Sequence, residues 1–135
     1  MSVDRRIQQL ERAEGERLDA AIADFGAFWW RRQADPATTA RREAVLAAAG
    51  YRGTTLEEFR HWIAGAWTPT KRAESRAYLA AIRALVLCPA DHAAIRCALA
   101  ALAPHVGLSA HAAPVAIIAA LEGAIAAEDT GQAAS

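Results

Sequence analysis

The sequence has few of the residues that build β-sheets and few that cross-link small domains. β-Branched and large aromatic residues are sparse, which gives strands little support, and only two cysteines occur in 135 residues. Alanine, the strongest helix former, supplies 37 residues instead. The composition therefore predicts an all-α protein of one domain, long enough for a single core without disulfides or a structural metal.

The chain also has no net charge and no unbroken apolar run. Fifteen basic residues balance fifteen acidic ones, but eight basic and four acidic residues give residues 41–83 a net charge of +4. Prolines, histidines and a glycine interrupt the uncharged stretch Cys97–Leu121, which favours two buried helices and a turn, with a membrane hairpin as the alternative. The start is charged rather than apolar, so we expect a cytoplasmic protein.

The first helix is predicted from about Val3 to about Arg32, because apolar residues recur there at steps of three and four. The stripe consists of Val3, Ile7, Leu10, Leu18, Ala21, Ile22, Phe25, Phe28 and Trp29. Glu14 and Gly15 interrupt it, and large apolar groups are fewer before them than after. Two interpretations of the first half stay open. It projects as an arm or pairs with a second copy, or it packs on the rest of the domain.

Helix-start and helix-stop residues predict five further helices, giving a compact bundle of about six over residues 1–128 and a frayed tail over 129–135. The expected ranges are Thr38 or Thr39 to Ala49, Thr54 or Thr55 to Gly65, Lys71 to Leu87, Pro89 to Ala103 and Ala112 to Glu128. Gly50 is expected to end the second helix in the left-handed conformation. Glu57 and Glu58 complete a capping box at the start of the third.

The same periodicity predicts which side chains of the later helices face inward. They are Leu56, Phe59, Trp62 and Ile63 in the third helix, Tyr78, Leu79, Ile82, Leu85 and Val86 in the fourth, Ile95, Leu99 and Leu102 in the fifth, and Val115, Ile117, Ile118, Leu121 and Ile125 in the sixth.

The middle of the chain resembles a DNA-binding module. Trp62, Gly65 and Pro69, followed by an amphipathic helix, are similar to the third and fourth helices of the lambda-repressor and Cro-like helix-turn-helix family. The segment 45–50 is similar to the preceding helix and its glycine, so the resemblance covers roughly residues 41–85. It implies a possible helix-turn-helix in the middle of the bundle and a small, non-catalytic transcription regulator that binds duplex DNA.

The resemblance also implies where DNA would be contacted. The segment 54–64 would be the recognition helix, which directs Thr55, Arg60 and His61 to the major groove. Phosphate contacts would come from the surrounding basic residues, which are Arg41, Arg42, Arg52, Lys71, Arg72 and Arg76.

Four tryptophans suggest a different role, binding to a protein partner. Trp29 and Trp62 are expected to pack helices one and three together. Adjacent helical positions point about 100° apart, so Trp30 and Trp67 cannot share those faces and are the predicted partner-binding residues. A helical protein–protein adaptor or accessory subunit without nucleic-acid binding is therefore the alternative function, and a homodimer is one form of it.

Reactive residues are few, so we expect neither an enzyme nor a cofactor. Cys88 and His92 lie near Cys97, His105 and His111, but these spacings match no standard zinc pattern. Buried thiols and helix-end histidines explain the same residues, and haem or another small ligand at Cys88 and His92 is a third alternative. His61 lies one turn from Glu57 and Glu58, where an exposed helical ion pair explains the spacing as well as acid–base chemistry does.

Overall fold

The computed structural model describes residues 3–48, 50–51, 53 and 69–129, and 86% of these residues are helical. They form five α-helices, a short 3-10 helix and no strand, which confirms the all-α prediction. The bounds are α1 Val3–Ala34, α2 Pro36–Ala48, α3 Pro69–Leu87, α4 His92–Leu102, the 3-10 helix Ala103–Val106 and α5 Pro114–Asp129. These five α-helices correspond to five of the six that the sequence predicts. The predicted third helix lies outside the described residues.

Four helices build the core. α1 packs on α3 and α5, and α4 also packs on both of them, whereas α2 contacts α1 and α5. The core consists of Leu18, Ile22, Phe25, Ala81, Leu85, Ile95, Leu99, Leu102, Ala103, Ile117, Ile118, Leu121 and Ile125. Each fully buried Leu, Ile or Phe stabilises the fold by about 1.5–3 kcal/mol relative to an exposed one. This burial fixes the positions of the four helices.

α2 begins at a different cap from the predicted one. The Asp35 carboxylate accepts the backbone N–H of Ala37 at 3.1 Å and the hydroxyl of Thr38 at 3.0 Å. Asp35 is thus the N-cap and Pro36 the first helical residue, a position where proline loses no hydrogen bond. The prediction that Thr38 or Thr39 caps this helix was wrong, because the acceptor nearest the free N–H groups is Asp35.

The C-terminal end of α2 agrees with the prediction. Gly50 has φ +97°, in the left-handed region. Its N–H donates to the carbonyl of Ala47 at 3.0 Å, and Tyr51 N–H donates to the carbonyl of Leu46 at 2.9 Å. These two bonds form a Schellman motif, the usual way for a glycine to end a helix.

α4 begins later than the sequence predicts. Pro89 lies in a turn, and the side chain of Asp91 accepts the N–H of Ala94 at 3.1 Å, so the helix starts at His92. Proline suits a first helical turn, but a good acceptor two residues later is the stronger start. α5 likewise begins at Pro114, two residues after the predicted start, and includes Asp129, which was assigned to the tail.

The predicted inward faces of α3, α4 and α5 are largely confirmed, since Tyr78, Ile82, Leu85 and Val86 of α3 all lie in or against the core. Ala81 and Leu85 are the buried residues of α3, and Leu79 is exposed. Leu79 lies two positions before Ala81, which places it about 200° around the helix axis. Val115 is exposed for the same reason, since it lies two positions before the buried Ile117.

Candidate interaction surface

α1 has two halves that differ in burial. We call residues 3–17 the arm and residues 18–34 the docked half. In the docked half Leu18 is 2% exposed and Phe25 is fully buried, whereas in the arm Val3 is 71% and Leu10 67% exposed. Every residue from 3 to 12 is exposed. Within the described residues, residues 3–12 therefore do not pack on the rest of the domain.

The arm continues the apolar face that the docked half buries. The apolar face has the three- and four-residue spacing of one helical face at Val3, Ile7, Leu10 and Leu18. Glu14 occupies the position of that face between Leu10 and Leu18. The 15 residues of the arm extend for about 22 Å at 1.5 Å per residue. Three large apolar side chains thus extend the core-facing stripe, and no described helix covers them.

Charge is unevenly distributed along the arm. Asp4, Arg5 and Arg6 give its beginning a net charge of +1, while residues 11–17 contain three glutamates and two arginines, a net charge of −1. The N-terminal end of the helix adds about half a positive charge through its macrodipole. The free end of the arm is therefore positive and the end next to the bundle is negative.

The two adjacent tryptophans of α1 have different surroundings, as the 100° offset predicts. Trp29 is half-buried, stacks on Phe25 with ring centroids 6.4 Å apart, and has the Arg32 guanidinium 5.4 Å from its ring centre. Trp30 is 59% exposed. Trp29 thus belongs to the edge of the core, and Trp30 presents its indole to solvent. Trp62 and Trp67 lie outside the described residues.

Trp30 lies at a shallow groove between α1 and the end of α3. The groove has a volume of about 390 Å³. It is lined by Asp19, Ile22, Ala23, Gly26, Ala27, Trp30, Leu85, Val86 and Pro89. Small residues of α1 form part of the lining, and a Cβ atom at Gly26 would meet nothing within 4 Å.

Four of the predicted phosphate-binding residues are exposed. Arg41 and Arg42 lie on α2, and Lys71 and Arg76 lie on α3, while Arg72 is half-buried. Lys71 lies 3.8 Å from the Glu74 carboxylate. α2 packs mainly on α1 and α5, so α2 and α3 are not principal neighbours. The remaining predicted DNA contacts, Arg52, Thr55, Arg60 and His61, lie outside the described residues.

The reactive residues near the start of α4 do not assemble into a metal site. His92 Nε2 lies 2.7 Å from a carboxylate oxygen of Asp19, a contact between α4 and α1. Cys88 and Cys97 are exposed free thiols, not the buried ones that the sequence suggested. Within the described part of the chain, no group of three His, Cys, Asp or Glu side chains could hold a metal ion.

Sequence reasoning missed the Asp19–His92 contact. The two residues are 73 positions apart, and neither belongs to a recognisable motif, so no local pattern connects them.

Crossing a membrane requires a long and strongly apolar helix, and none of the described helices has both properties.

The surfaces that remain for function are the arm, the groove beside Trp30 and the exposed basic residues of α2 and α3. Each of them could contact a macromolecule, and each has its own chemistry: an apolar stripe, an indole beside small side chains, and a set of basic side chains. No protein family, curated protein or solved structure was found to match this chain.

Proposed function

We propose that this chain is a non-catalytic helical interaction protein, an adaptor or accessory subunit, which binds a protein partner along the apolar face of the arm. The observation that carries the proposal is the exposure of Val3, Ile7 and Leu10 on a helix whose continuation is buried. Their spacing of i, i+4 and i+7 is the one with which an amphipathic helix docks against another protein.

Trp30 supports an interaction function through a second surface, which is separate from the arm and lies about 160° around α1 from Leu10. Large aromatic side chains contribute disproportionately to binding energy at protein interfaces. Its 59% exposure leaves the indole accessible beside the groove. Trp30→Ala is expected to weaken binding of a partner at the groove and not at the arm, while leaving the fold intact, because the ring makes little contribution to the core.

Photo-crosslinking tests the proposal directly. A photoreactive amino acid is placed at Ile7 in one version of the full chain and at Gln8, also exposed but about 100° around the helix, in the control. Both are expressed in cells, irradiated and analysed by mass spectrometry. A protein adduct at position 7 that is absent at position 8 supports binding along the apolar face. Absence of an adduct at position 7 would overturn the proposal.

DNA binding is the second candidate function, and the exposed basic residues favour it. Arg41, Arg42, Lys71 and Arg76 are exposed residues within the segment that carries a net +4. We propose this activity on those observations together with the recognition segment inferred from sequence.

A salt titration tests DNA binding. Fluorescence anisotropy with random duplex DNA is expected to show an affinity that falls steeply as salt rises, because bound cations are released from the phosphates. Arg76→Ala should reduce the slope of that dependence by about one, whereas Arg17→Ala on the arm should not change it. Absence of binding at low salt would exclude the regulator function.

A further inference from the structure

We infer that the partner of the arm is a second copy of this chain, bound antiparallel so that Ile7 of each copy faces Leu10 of the other. This inference rests on the proposed interaction function and specifies its partner. The observations behind it are the position of the bundle along α1, the charge distribution of the arm and the spacing of its apolar residues.

The bundle itself decides the direction of pairing. From Leu18 onward, α3 and α5 cover the face of α1 that the arm leaves exposed. A parallel copy lying on the arm would run into that bundle as it continued past residue 17. In an antiparallel pair, the N-terminus of the second copy lies next to the bundle of the first copy. The second arm can therefore cover the exposed face without meeting that bundle. Each arm would extend the partner's core-facing stripe.

Charge favours the same direction. Antiparallel pairing brings the negative segment 11–17 of one copy next to the positive N-terminal end of the other. With Ile7 facing Leu10, Glu14 lies at the level of Val3 of the second copy, within one helical turn of its Arg6. Parallel pairing would place the two positive ends together. A two-fold axis repeats each favourable contact, as expected of a symmetric dimer.

The interface is small, so the dimer is expected to be weak. Three apolar side chains per copy cover much less than the area of a stable interface. A dissociation constant of roughly 0.1 mM is in keeping with that size. Sedimentation equilibrium of the full chain from about 10 µM to about 1 mM covers this range.

The first experiment compares Leu10→Glu with Gln8→Glu by sedimentation equilibrium. Both add one negative charge to an exposed arm position, but Gln8 lies about 200° from Leu10 around the helix. The wild-type chain and Gln8→Glu are expected to dimerise, and Leu10→Glu to remain monomeric, with equal helicity by circular dichroism. A dimer that persists in Leu10→Glu would overturn the inference, as would a wild-type chain that stays monomeric.

A charge exchange tests the antiparallel register. Arg6→Glu and Glu14→Arg are each expected to weaken dimerisation about tenfold, because symmetry converts two attractive contacts into repulsive ones. An equimolar mixture of the two variants is expected to recover wild-type affinity, since every such contact in the mixed dimer is attractive. Dimerisation of either variant at wild-type strength, or a mixture that stays as weak as its components, would overturn the register.

The photo-crosslinking experiment separates this inference from the function on which it rests. An adduct between two copies at position 7 supports both. An adduct with a different protein supports the interaction function and overturns the second copy as the partner. No adduct at position 7 overturns both.

Discussion

The docked half of α1 buries Leu18, Ile22 and Phe25 in the core, whereas the arm leaves Val3, Ile7 and Leu10 exposed on the same face of the same helix. The same hydrophobic periodicity runs through both halves, with an interruption at Glu14 and Gly15. The two halves differ in whether other helices cover this face. Among the described helices, α3 and α5 pack on the docked half and not on the arm. A periodic stripe thus specifies that a face will be covered, without specifying by which molecule.

The largest expected effect comes from truncating equivalent positions of the two halves. Phe25→Ala should lower the free energy of unfolding by about 3–5 kcal/mol, because the ring is fully buried and leaves a cavity. Leu10→Ala should change it by less than about 0.5 kcal/mol in dilute, monomeric protein, as an exposed substitution does. Urea unfolding monitored by circular dichroism measures both.

A small effect of Phe25→Ala would mean that the core tolerates loss of this ring by rearranging. A large effect of Leu10→Ala in dilute solution would mean that the arm folds back onto its own bundle. Either result removes the distinction between the two halves.

The second prediction asks how much stability depends on local helix signals rather than on burial. Asp35→Ala removes the N-cap of α2, which follows the docked half directly, and should cost about 1 kcal/mol. Thr39→Ala is the control. Its hydroxyl makes one long contact of 3.5 Å with the Asp35 carbonyl, so its loss should cost less than about 0.5 kcal/mol. Equal losses of unfolding free energy in the two variants would support a threonine as the N-cap, as the sequence suggested.

Much of this fold follows from local patterns, and the remainder needs distant residues. Ile95, Leu99 and Leu102 form a stripe that periodicity identifies, and Gly50 ends α2 because few other residues adopt its φ without strain. Leu79 was misassigned because a stripe can be shifted by one position when alanines such as Ala81 lie within it. Periodicity also does not specify which helices pack against each other. It therefore predicted that the arm has an apolar face but not that this face is exposed.

The candidate sites also include one feature that local patterns predict and one that they do not. Exposure of Trp30 followed from the inward-facing position of Trp29, because neighbouring helical residues point in different directions. Contacts between helices, such as Asp19 with His92, could not be predicted from one sequence, because they depend on packing angles that no local motif records.

The third prediction compares helix propensity in the two halves. Gly15 lies in the arm and Gly26 in the docked half, and a Cβ at either position meets nothing within 4 Å. Alanine at Gly26 should raise the free energy of unfolding by about 0.5–1 kcal/mol. At Gly15 the gain in global stability should be smaller, because the arm can open without unfolding the bundle. Hydrogen exchange of residues 3–14 should slow instead, and equal global gains would contradict an independent arm.

The smallest expected effect concerns the Asp19–His92 contact at the start of the docked half. Asp19 and His92 have side chains that are 64% and 32% exposed, so solvent screens their attraction, and a double-mutant cycle of Asp19→Ala and His92→Ala should give a coupling of about 0.2–1 kcal/mol. Leu18→Ala, one residue away but buried, should cost about 2–5 kcal/mol. A coupling that exceeds the Leu18 cost would mean that this contact, rather than burial, fixes where the docked half begins. If burial dominates, the boundary lies at Leu18 because it is the first stripe residue that the bundle reaches, and breaking the Asp19–His92 contact will leave hydrogen-exchange protection of residues 18–34 unchanged.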